Sequence, residues 1–485
     1  MPRTRKSAVR SGALTALSSL AVAGSAAGAG ILLAHLFGRN ARTDGLFVAY
    51  GVYLVLAIAA QSFRTVILPD LTRAAAEGTL PAELRAQLGA LAAAGAAAVA
   101  LAVLLADPIG RALTVHSAAA DVASQALPWL VAGGFLQLVA ALLASALAAR
   151  DSYEVAAVAY ALGAVLALVL FAALHRHGEV SLAWAVTANG VLTVAIPLAA
   201  LARSGALAGR RTRGGSFGRL GRLASGASVS IALQGMFVVA LRLAGGLGVG
   251  KATSLNYAYL IAAVLVAATA SSVALISSAP LTRRGLDVEG AVAHVIHSSW
   301  LSLALIAAAA GVFALAGGKV VGPVLGGAYG GEVGRELGRL VAYLAPWMVV
   351  MVAYTLTFPL LFVLERSRGL AAIALAGLAL SVPILLAGRE LAGLAGIAAA
   401  MAVSTALVLA ALLVAVSGGA LRRTATELAQ LALRVGALAA LSFGLASLLG
   451  GFVGAAVGLA AYAALLAALR PRGLREAWAY VRALH

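Results

Sequence analysis

The sequence predicts an all-α integral membrane protein of about fourteen transmembrane helices, arranged as two pseudo-repeated six-helix lobes plus two C-terminal helices. Three observations predict it. First, 62% of the 485 residues are hydrophobic and only 11% are charged, less than half the charged share of an average soluble domain, about 25%. Such a chain has too little polar surface to cover a water-soluble globule. Second, long runs without charge recur, each near the roughly 20 residues that cross a bilayer as a helix. Third, Lys and Arg concentrate in alternate connections between those runs. Helices follow because an unpaired backbone amide in hydrocarbon costs several kcal/mol. The runs are also much longer than the alternating strands, roughly ten residues long, of an outer-membrane barrel.

The predicted spans are bounded by charges and by Gly or Pro. The first, 12–37, follows Arg3, Arg5, Lys6 and Arg10. Its small-residue stretch Ala21–Ala27 resembles a signal-peptide cleavage site. Its uncharged length from Ser11 to Phe37 favours a retained helix. The second, 44–68, opens at Asp44 and stops before Pro69. The next four are 86–106, 122–148, 152–174 and 181–202. Residues 203–222 are Gly-rich and carry Arg203, Arg210, Arg211, Arg213, Arg219 and Arg222. They read as a cytoplasmic linker between lobes. The second lobe holds 223–247, 252–278, 291–316, 338–364, 369–388 and 391–416, and the appended pair is 427–449 and 451–469. The borders at 388–391 and 449–451 are the weakest, which fixes the count to about one pair. The domain plan is therefore 1–202, linker 203–222, 223–416, and 417–485.

With the N-terminus inside, most Lys and Arg lie on the cytoplasmic side. Both termini are then cytoplasmic and the protein is multi-pass in the cytoplasmic membrane. The net charge of +18 thus sets topology and forms no stripe for nucleic acid. Cysteine is absent and only 7 His occur. Disulfides and thiolate metal sites are excluded, and no H-E-x-x-H spacing suggests a zinc enzyme. No Walker motif occurs, and no outer loop is long enough for a catalytic domain. We expect a non-enzymatic protein without cofactor or metal. Asp107, Asp121, Glu332 and Glu336 read as helix-end charges.

An ungapped repeat places Gly38 on Gly248, Thr43 on Thr253, Ser62 on Ser272, and Leu71-Thr72-Arg73 on Leu281-Thr282-Arg283. The hairpin 12–68 falls on the hairpin 223–278. Two bundles of like orientation are a transporter pattern. Gly450, Gly454 and Gly458 give the last span a small-residue face suited to close helix packing.

Six residues are the candidate substrate-binding or transport set. Arg64 and Arg242 lie inside spans, where a charge either snorkels to the headgroups or faces a water-filled interior. Asp44, Arg42, Arg39 and His35 form a charged cluster at the outer mouth. Asp44 at a helix start also suits simple capping. Among prolines within spans, Pro346 and Pro359 are the favoured bend pair.

The stretch Leu36-Phe37-Gly38-Arg39-Asn40-Ala41-Arg42-Thr43-Asp44-Gly45-Leu46-Phe47-Val48-Ala49-Tyr50 resembles the first hairpin of the MurJ/MviN lipid II flippase family. Val66-Ile67-Leu68-Pro69, Asn256-Tyr257-Ala258, Gly322-Pro323-Val324-Leu325 and Leu364-Glu365-Arg366-Ser367-Arg368 add weaker likenesses. The resemblance places the chain in the wider multidrug/oligosaccharidyl-lipid/polysaccharide (MOP) flippase superfamily as a divergent member. It departs from the family in two places. Gly24–Gly30 carries no charge where the family has cavity arginines, and Leu260 stands near the place of another. Asp44 carries over, and His35 sits where a basic residue is common.

The resemblance implies a flippase that moves an undecaprenyl-linked glycan precursor, foremost lipid II, by alternating access. Its partners would be that lipid-linked glycan, membrane lipids and, if ion-driven, a coupling ion, with no nucleic acid. Alternatives are export of another lipid-linked polysaccharide unit, or of drugs or cations.

Overall fold

The computed structural model describes residues 5–150, 152–207, 216–271, 288–364, 366 and 369–469. Among these the chain is helical, with short turns and no strand. It divides into two compact units, residues 1–250 and 251–485.

The first unit contains α1 (Arg5–Phe37), α2 (Ala41–Ala76), α3 (Leu80–Leu104), the short α4 (Ala106–Leu113), α5 (Ser117–Ala149), α6 (Tyr153–Leu174), α7 (Ser181–Arg203) and α8 (Ser216–Gly245). Gly38 ends α1 in the left-handed region. Asn40 then caps α2. Its side chain accepts the Thr43 N–H, and the Thr43 hydroxyl accepts the Asn40 N–H, both at 3.0 Å. This reciprocal capping box satisfies two otherwise orphaned amides. α2 runs on through Pro69, where the sequence predicts a stop. A proline forfeits one backbone bond rather than a whole helix.

The two units divide at 250/251, after α8. Residues 216–222 of the basic segment 203–222 are already helical, and 208–215 lie outside the described residues. α8 packs on α2. Ser62 Oγ donates to Ser230 Oγ at 3.0 Å, and a Cβ on Gly51 would meet Val238 at 3.0 Å. Small residues let these two backbones approach closely, as membrane helix pairs require.

The second unit begins with α9 (Lys251–Val266), which passes into a π-turn (Ala267–Ser271). Then come α10 (Val288–Leu325), α11 (Gly331–Tyr343), α12 (Ala345–Val363), α13 (Leu370–Val416), α14 (Gly418–Ala446) and α15 (Gly451–Leu469). α11 and α12 meet at a 41° bend. The break lies beside Pro346, whose missing N–H leaves a carbonyl of α11 without its helical partner. Pro359 sits inside α12 without ending it.

Eleven helices among the described residues are long and apolar enough to cross a membrane, and the bent α11–α12 pair makes twelve. α13, counted once there, is a hairpin. Ala392 and Gly393 have non-helical backbone angles. A Cβ on Gly388 would strike the Gly396 carbonyl, and one on Gly377 would strike Val408. In a straight helix residues 377 and 408 would stand about 46 Å apart. The arms 370–391 and 394–416 therefore match two predicted spans. The predicted spans fall on helix, with breaks at Leu105 in the third and Leu344 in the tenth; the end of the eighth, 272–278, lies outside the described residues.

The repeat also shows in the helix borders. The alignment that sets Gly38 on Gly248 sets the start of α2 on the start of α9. α14 and α15 are packed on α10 of the second unit. Tyr462 Oη donates to the Ala304 carbonyl at 3.1 Å. Phe443 fills the space that side chains at Gly311 and Gly458 would take. The small-residue face of the last helix is thus used within its own unit.

Candidate functional site

The turn between α1 and α2 and the turn between α8 and α9 meet in the first unit. Asp44, in the first turn of α2, is only 3% exposed. Its Oδ2 accepts the backbone N–H of Gly250 at 2.5 Å. Gly250 immediately precedes α9, so this amide is one of those a helix start leaves without an intrahelical partner. A carboxylate there is favoured by charge as well as by hydrogen bonding. Arg39 crosses the same residue. Its Nε and Cζ lie 2.8 and 2.9 Å from where a Gly250 Cβ would stand. Gly250 also has φ +79°, a conformation that side-chain-bearing residues resist. Glycine is required there by both backbone and space.

The six candidates do not form one cluster. Asp44 and Arg39 converge on Gly250. Arg42 turns instead to Glu179, whose two carboxylate oxygens accept from its Nε at 3.1 and 3.0 Å. Glu179 is buried, while Arg42 is mostly exposed. His35 is exposed, with Nδ1 3.0 Å from the Ile31 carbonyl one turn back on its own helix. Arg64 is exposed on α2. Arg242 lies elsewhere, with Nε donating to the Ala112 carbonyl in the last turn of α4. A guanidinium at a helix C-terminus satisfies an orphaned carbonyl and meets the negative dipole end.

Sequence reasoning missed Gly250 and Glu179. The repeat held a signal for the first, since Gly250 aligns with the cap residue Asn40. Glu179 carried a weaker one, as a lone carboxylate just before the sixth span. Glu336 accepts from Lys251 Nζ at 2.6 Å, and Glu332 lies 3.7 Å from Arg335. These two acids serve in ion pairs. No group of three or more His, Asp or Glu able to hold a metal occurs among the described residues.

No family model matches the chain, and no curated protein matches it. Solved structures do. Lipid II flippase MurJ, in an inward closed conformation, is 12% identical, with TM-score 0.72 over 94% of this chain and 99% of that one. An inward-facing multidrug resistance MATE family transporter of the MOP superfamily is 16% identical, with TM-score 0.63 over 85% and 94%. A eukaryotic MATE transporter is 14% identical, with TM-score 0.57 over 87% and 99%. At such identities the likeness is one of fold. For the first of these it spans nearly the whole chain.

Proposed function

We propose that this chain is a transporter that flips an undecaprenyl-linked cell-wall glycan precursor, foremost lipid II, across the cytoplasmic membrane by alternating access. The observation that carries the reading is the end-to-end likeness of fold to a lipid II flippase, joined to the Thr43-Asp44 hairpin. Lys and Arg distribution supports both termini on the cytoplasmic side. In that orientation the Asp44–Gly250 contact lies at the outer end of the first unit. Chemistry on the cargo is not part of this reading. The chain supplies a path and a change of shape, driven by an ion gradient, by membrane potential or by consumption of the product outside.

The MATE likeness favours a second reading, export of a drug or another cation. Cation cavities call for free acidic groups. Asp44 and Glu179 are the buried carboxylates among the described residues, and each is engaged. That supports an anionic, lipid-linked cargo, with another polysaccharide unit as the nearest alternative.

Depletion of the protein in cells without a redundant flippase tests the proposal. Lipid II should accumulate in the inner leaflet and be lost from the outer. Unchanged outward appearance of lipid II would sink it. Accumulation of a different lipid-linked unit would redirect it to that cargo.

A further inference from the structure

α2 has three sides. Gly45, Leu56 and Phe63 lie toward α5: a Cβ on Gly45 would run into the Ala119 carbonyl, and Leu56 fills the space beside Gly134. Gly51 and Ser62 lie toward α8. On the remaining side Tyr50, Tyr53, Ala57, Gln61 and Arg64 follow one another at spacings of three and four. At about 100° per residue they fall within an arc of about 80°. Tyr50 and Tyr53 rings are 5.2 Å apart. Gln61 and Arg64 are exposed, Tyr50 is half-buried and Tyr53 is buried at the edge of the stripe.

Such a stripe is out of keeping with a lipid-facing surface. A guanidinium, an amide and phenols turned toward hydrocarbon would each lose hydration. Polar residues within membrane helices line an interior or a watered face. The order along the helix is also informative. Arg64 stands at one end of the stripe, and α2 runs twelve residues beyond it to Ala76. The tyrosines stand toward the other end, about 21 Å away at 1.5 Å per residue.

Resting on the transport reading above, we propose that this face of α2 is the track that holds the head of a glycosylated polyprenyl pyrophosphate. The head lies lengthwise, with its pyrophosphate at Arg64 and its sugars extended toward Tyr53 and Tyr50. The guanidinium fork suits two phosphate oxygens at once. Tyr rings offer a flat apolar body with a hydroxyl, and Gln61 offers both donor and acceptor, which suits sugar faces and hydroxyls. The stripe therefore separates two recognitions, anion at one end and sugar at the other.

The test uses the full chain in proteoliposomes with three probes: a polyprenol, a bare polyprenyl pyrophosphate, and a polyprenyl pyrophosphate bearing a disaccharide. Arg64→Gln should weaken binding of both pyrophosphate lipids about tenfold or more and leave the polyprenol unchanged. Arg64→Lys should recover part of the loss. Tyr53→Phe with Gln61→Leu should weaken the disaccharide lipid severalfold and spare the bare pyrophosphate. Equal affinities in all variants would overturn the track. So would a loss in Arg64→Gln that appears equally with vesicles of phosphatidylglycerol, since Arg64 would then be a headgroup anchor. Flipping of the disaccharide lipid is read in the same vesicles. Wild type that binds as expected but does not flip refutes the transport reading and leaves the track standing. Wild type that flips, with variants that bind and flip equally well, refutes the track alone.

Discussion

The carboxylate of Asp44 holds the backbone N–H of Gly250 at 2.5 Å, joining the start of α2 to the residue that precedes α9. Residues far apart in sequence thus meet at two positions that the internal repeat makes near-equivalent. Asp44→Ala removes the acceptor and should cost about 1–3 kcal/mol at this contact. Gly250→Ala should be worse, because its Cβ meets Arg39 and its φ of +79° becomes strained. On the proposed function, both variants should show reduced flipping in proteoliposomes. Asp44→Asn, which retains an acceptor oxygen, should fall between wild type and Asp44→Ala.

Arg42 and Glu179 differ in burial, with side chains 56% and 6% exposed. Removing the arginine leaves a buried carboxylate without its partner. Removing the glutamate leaves an arginine that water can serve. Arg42→Ala should therefore lower thermal stability more than Glu179→Ala, with a coupling of about 0.5–2 kcal/mol in the double-mutant cycle. Equal single-mutant losses and no coupling would show that the pair is ornamental.

Each unit carries an arginine strut at corresponding places. Arg150, after α5, donates to Ser204 Oγ at 2.6 Å beyond the end of α7. Arg366, after α12, donates to the Val416 carbonyl at the end of α13. In both repeats the residue following the fourth span fastens the end of the sixth. Arg150→Ala and Arg366→Ala should each release about 1–2 kcal/mol locally. Hydrogen exchange should quicken at 201–204 in the first variant and at 413–416 in the second, with the other site unchanged.

The α13 hairpin depends on backbone contact between its arms. Gly396→Ala would drive a methyl group into the Gly388 carbonyl, forcing the arms apart at a cost of about 1–3 kcal/mol or more. Gly436→Ala on α14 meets nothing within 4 Å and should be neutral within about 0.5 kcal/mol. Yield of monodisperse protein and thermal midpoint should separate the two clearly.

The sequence by itself determined the class, the spans and the repeat. Hydrocarbon forces helices on any long apolar run, so length and charge position are enough to find them. Even the hairpin within α13, which the helix borders alone would merge, was legible as two spans flanking the Arg389-Glu390 charges. Tertiary structure alone decided the partners. Snorkelling and inward-facing arginines look identical in sequence, and the fold sends Arg42 to Glu179, Arg242 to the end of α4, and Arg39 across Gly250. It also groups α8 with the first unit. Charge marks where a chain leaves the membrane, but close packing of small residues, such as Gly51 against α8, determines which helices stay together, and that depends on distances no linear pattern contains.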